Sequence, residues 1–75
     1  MNELIYQLVE PLVDFPSDIR VEATSRNGET VYKLSLHPDD VGKVIGKHGK
    51  VAKAIRTLVH AAATHKRERV HLEID

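Results

Sequence analysis

The sequence has no cysteine, which excludes a disulfide framework and a cysteine-ligated zinc site. Its absence fits a reducing compartment. No apolar run approaches the roughly 20 residues that a membrane span needs, so a membrane-spanning role is excluded. Met1-Asn2-Glu3 is not the basic start of a secretory signal. The expected location is the cytoplasm, away from the membrane. With Met1 at one end and the polar Asp75 at the other, the chain reads as a complete protein. Its 75 residues make one small domain over 1–75, with a modest core and marginal stability. Net charge is missing too, since 11 basic residues balance 11 acidic ones.

That balance hides a segregation. From Met1 to Asp40 there are eight acids and three bases; from Val41 to Arg67 there are seven bases and no acid. A one-sided basic segment is an electrostatic footprint for a polyanion, and the acidic remainder limits indiscriminate binding. A charge run alone is usually a solvated helix face. Here the run contains Gly46-Lys47-His48-Gly49. Two glycines three apart permit a tight turn and leave amides without side-chain cover. A helix follows, and the first N–H groups of a helix favour anions. Loop and flanking lysines both point to phosphate.

The rest of the chain supplies a frame. Leu4, Ile5, Leu8, Val9 and Leu12 recur at helical spacing, predicting a helix over Asn2 to Val13 with a kink or broken last turn at Pro11. Asp14-Phe15-Pro16-Ser17-Asp18 is an exit turn. Ile19, Val21 and Ala23 alternate with polar residues, as a half-buried strand does. Asn27-Gly28 signals a hairpin, and Tyr32, Leu34 and Leu36 form the return strand, Tyr32 as a core or sheet residue. Pro38, Asp39 and Asp40 start a short helix to about Val44. A second helix runs from about Lys50 to His65, with the stripe Val51, Ile55, Leu58, Val59 and Ala62, while Lys50, Lys53 and Arg56 turn toward solvent. Val70, Leu72 and Ile74 alternate as a last strand. The order helix–strand–strand–helix–helix–strand predicts an α+β two-layer domain, a three-stranded sheet with helices on one face.

Val44-Ile45-Gly46-Lys47-His48-Gly49-Lys50-Val51-Ala52-Lys53-Ala54-Ile55 resembles the KH-domain signature: an apolar pair, a Gly-x-x-Gly loop, then an apolar-striped helix. The element order resembles the type II KH fold over nearly the whole chain. The Leu4–Val13 helix, the His37-Pro38-Asp39-Asp40 lead-in and the Val41–Gly46 run look like the small bacterial stand-alone KH proteins of the KhpA family. The resemblance implies single-stranded RNA binding, as a post-transcriptional regulator or RNA chaperone. It also implies a homodimer, or a heterodimer with a larger KH-containing protein linked to cell elongation and division.

In that mode the amides of Gly46 to Gly49 face the sugar-phosphate chain, with Lys47 and His48 at the loop tip. Lys43, Lys50 and Lys53 add longer-range attraction. Val41, Val44 and Ile45 line an apolar groove for bases, and the motif has no aromatic for stacking. Gly42 permits close helix packing, and His37, His60, His65 and His71 are surface or capping residues. One copy, gripping about four nucleotides, binds weakly and salt-sensitively, so useful affinity needs a second module. A Walker loop is excluded because Gly46-Lys47 is followed by His48 and position 41 is valine. His60 and His65 are off a common face for a metal, and no serine has a nucleophile context. The chain is read as a binder rather than an enzyme, and no cofactor is called for. The alternative is an assembly domain in which dimerisation is the main role and RNA contact is minor; the apolar, alanine-rich second helix supports it.

Overall fold

The computed structural model describes residues 1–74; Asp75, read above as the polar end, lies outside them. Helix α1 spans Asn2–Val9. It stops short of Val13 because Pro11 cannot donate back into the helix. The chain instead makes a 3-10 turn at Glu10–Leu12. A second 3-10 turn, Pro16–Asp18, leads into β1 (Arg20–Arg26). Asn27 and Gly28 take φ of 50° and 78°, the pair of left-handed residues that a tight two-residue hairpin requires. Strand β2 (Glu29–Ser35) returns antiparallel, with Arg26 opposite Glu29 and Ala23 opposite Tyr32.

Helix α2 is Pro38–Ile45, α3 is Lys50–His65, and β3 is Val70–Ile74. The two helices form the crossover that brings β3 parallel to β2, with Tyr32 beside Leu72. Strand order is β1-β2-β3, a mixed sheet in an α+β, type II KH-like arrangement. Ile5 and Val9 of α1, Val44 of α2, Ile55 and Val59 of α3, and Tyr32, Leu34 and Leu72 of the sheet make one core.

The stripe of α3 differs from the one read from the sequence. Ala52, Ile55, Val59 and Ala63 are buried, whereas Leu58 is 52% exposed. Successive helical residues are rotated by roughly 100°, so a core line through 52, 55, 59 and 63 leaves position 58 on the flank. Strand β1 is also more open than its alternation suggested: Val21 is half-buried and Ala23 exposed. The end of α3 is closed by Arg67 at φ 58°, with the Glu68 amide donating to Ala63 O (2.8 Å) and the Arg67 amide to Thr64 O (3.0 Å). That is a Schellman-type cap with arginine where glycine is usual.

Candidate nucleic-acid interface

The loop between α2 and α3 is built from left-handed residues. Gly46 ends α2 at φ 77°, ψ 175°, and its amide donates to Gly42 O at 2.9 Å. Lys47–Gly49 forms one 3-10 turn, in which His48 has φ 57° and Gly49 φ 72°. The Gly49 amide donates to Gly46 O at 3.2 Å and closes the turn. Gly46 does more than adopt an unusual angle. A Cβ added there would lie 2.3 Å from Val51 Cγ2 and 2.7 Å from Val51 Cβ, so the loop folds directly onto the first turn of α3. Gly49 faces open space, and only its backbone angle demands glycine. Gly42 also faces open space, so it does not serve the close helix packing expected of it.

The turn leaves Lys47 and His48 exposed at its tip. Gly49 is the N-cap of α3, and no side chain caps that end. Lys50 and Lys53 are exposed on the following turns, and Ile45 and Val41 are half-buried. Val44 is 0% exposed, a member of the core. It holds the loop from beneath instead of lining a groove, because Ile45 and Gly46 turn outward and position 44 turns inward.

Lys43 is not free. Its ammonium is hydrogen-bonded to Asp14 Oδ2 and lies 3.7 Å from Asp40 Oδ1. The hydrogen bond to Asp14, with the charges of Asp14 and Asp40, raises its pKa above the ordinary lysine value. Asp40 is fully buried. It accepts from the Asp14 amide (3.1 Å) and the Phe15 amide (2.9 Å), tying the exit turn of α1 to α2. Burial alone would push this carboxyl up; those two donors, with the charges of Lys43 and His37, outweigh it and hold the group below the usual range. Next to it, Phe15 and His37 stack at 3.9 Å, and His37 Nδ1 caps α2 by accepting from the Asp39 amide (3.1 Å).

Sequence reasoning missed two of these features. Asp40 was assigned to the helix dipole, although it lies four residues before Val44 on the same buried face. Arg56 is exposed, as expected, but its Nε also donates to Leu72 O (3.2 Å) in the outer strand β3, a bond from α3 to the sheet. Only the helical offset from Ile55 toward the basic flank hinted at this.

On α3, then, Lys53 and Arg56 fall on the flank toward β3, while Leu58 falls on the opposite flank. The geometry offers a left-handed glycine turn at a helix start with no side-chain cap, with Lys47 and His48 exposed at its tip. Comparison with known proteins places it. The family described as "KhpA/KhpB, KH domain" matches residues 2–74. A protein named RNA-binding protein KhpA from Oceanobacillus iheyensis is 50% identical over 74 residues, covering 99% of each chain. Its namesake in Bacillus subtilis is 47% identical over 74 residues, covering 99% of this chain and 91% of its own. That of Listeria monocytogenes is 46% identical, covering 99% and 97%. By this match, and by the fold and loop that accompany it, the chain belongs to the KhpA/KhpB family of KH domains.

Proposed function

We propose that this chain, one KH unit over 1–75, binds single-stranded RNA by clamping its phosphate backbone on the Gly46–Gly49 loop. The observation that carries the reading is Lys47 and His48 exposed on a glycine-built turn at the uncapped start of α3. The Gly46 and Gly49 amides are bonded within the chain, contrary to the expectation that all the loop amides face phosphate; the start of α3 suits phosphate oxygens, and Lys47 at the tip adds charge. Lys50 and Lys53 extend that field along the backbone. Ile45 offers an apolar edge to bases, and Val44 supports the loop from the core. The relatives are named RNA-binding proteins, which supports a binder over an enzyme.

The contact is small, about four nucleotides, and is dominated by phosphate. One copy therefore binds weakly. A cytoplasmic post-transcriptional regulator or RNA chaperone of this kind works through a second module, as a homodimer or with a larger KH-containing protein. Leu58, exposed at 52% beside Ala54 and Ala61, supplies an apolar flank on α3 away from Lys53 and Arg56. Pairing there leaves the loop open. The same flank favours the second reading, in which assembly is the main role.

Titration of labelled single-stranded RNA at two salt concentrations tests the proposal. Affinity that falls as salt rises supports it. No binding at high protein concentration refutes it and leaves the assembly reading.

A further inference from the structure

We propose that Asp14 competes with RNA phosphate for Lys43 and thereby sets the affinity of the loop site from within the chain. This rests on the RNA reading above. Lys43 lies on the last turn of α2, three residues before Gly46, at the end of the helix that meets the loop. Its ammonium is nevertheless taken, by the Asp14 carboxylate and by Asp40 Oδ1 at 3.7 Å. One cation against two carboxylates is a net negative spot beside a phosphate site.

The two acids are not equivalent. Asp40 is buried and fixed by the amides of Asp14 and Phe15. The Asp14 side chain is 70% exposed and Lys43 47% exposed. The fold uses the Asp14 backbone amide, which pins the linker to Asp40, and does not need its carboxylate. The Phe15–His37 stack holds the same segment against α2. The linker thus delivers a carboxylate to Lys43 in the place a phosphate oxygen would take. Both groups are anionic acceptors for the same ammonium. An exposed pair of this kind contributes little to folding, so its removal leaves the ammonium with Asp40 alone, at 3.7 Å, and open to phosphate without loosening the domain.

The experiment measures RNA anisotropy across a salt series for wild type, Asp14→Asn and Asp14→Asn/Lys43→Met, with melting curves alongside. Asp14→Asn keeps the backbone donor. It is expected to tighten binding about two- to five-fold. One added lysine–phosphate contact also steepens the slope of log affinity against log salt by about 0.7. Adding Lys43→Met abolishes both gains. Asp14→Ser, with the same backbone, reproduces the gain of Asp14→Asn. Unchanged affinity and slope in the Asp14 variants overturn the proposal. So does a gain that survives Lys43→Met, since deletion of a nearby negative charge then explains it. Lys47→Asp/His48→Asp, run in parallel, reports separately on the loop: binding unaffected by that pair takes the loop out of RNA recognition, whereas no binding by wild type removes the RNA reading itself.

Discussion

Gly46→Ala is the perturbation that the loop geometry judges most severely. At φ 77°, ψ 175°, Gly46 occupies backbone space open essentially to glycine alone, and a side chain there costs about 1–3 kcal/mol. The new methyl would also meet Val51 Cγ2 at 2.3 Å and Val51 Cβ at 2.7 Å, well inside the 3.5–4.0 Å of ordinary carbon contact. Val51 is held by the helix backbone, so relief requires the loop or the first turn of α3 to move, at about 1–3 kcal/mol. The sum is about 2–6 kcal/mol, set against a total of about 4–11 kcal/mol for a chain this size. A loss of that size lowers the melting temperature by about 8 °C or more. Gly49→Ala, with φ 72° but open space, costs only the left-handed backbone penalty of about 1–2 kcal/mol. Gly42→Ala, in the open interior of α2, stabilises by about 0.5–1 kcal/mol. Thermal unfolding followed by circular dichroism gives all three in one assay. The required order from most to least stable is Gly42→Ala, wild type, Gly49→Ala, Gly46→Ala. A Gly46→Ala protein melting within about 2 °C of wild type would refute the argument.

Other consequences are testable with the same protein. Asp40 has a folded pKa held below its ordinary 3.8, so in that window the unfolded chain binds more protons and stability rises with pH. Its contribution is whole above about pH 4 and is lost as pH falls through the folded value; urea midpoints measured across this range should fall less steeply in Asp40→Asn, which is itself destabilised because an amide cannot match two backbone donors with two oxygens. Leu58→Lys should leave the melting temperature nearly unchanged, since Leu58 is 52% exposed, while shifting analytical-ultracentrifugation profiles toward monomer; an unchanged profile that still contains dimer would place self-association on another surface. Arg67→Gly relieves a left-handed residue at φ 58° and should raise stability by about 0.5–1 kcal/mol, read as a rise of several degrees in the melting temperature.

Local chemistry made much of this fold legible. Asn27-Gly28 marked the hairpin because few residue pairs accept two positive φ angles, and Lys50–His65 was bounded by Gly49 before it and by Lys66-Arg67 after it. Pro11 marked the break in the first helix for a covalent reason. The positive-φ turn at Gly46–Gly49 was legible because two glycines three apart between two helical stretches mark a tight turn. What stayed hidden depends on tertiary partners. The Phe15 amide and Asp40 are 25 residues apart, and no local pattern announces their meeting. Apolar periodicity located the α3 stripe only to within one residue of rotation, which was enough to misplace Leu58, and the reach of the exposed Arg56 to Leu72 O depends on where the fold puts β3. Lys43 looked like one more basic residue; only the fold brings Asp14 to it.

The most direct test of the central claim compares wild type with Lys47→Asp/His48→Asp for binding to a labelled single-stranded RNA pool, at low and moderate salt. Both side chains are exposed, so the variant should keep its circular dichroism spectrum and melting temperature. The account predicts salt-sensitive binding by wild type and none by the variant, because two acids now face the phosphates. Equal affinity in a folded variant would contradict it and take the loop out of RNA recognition.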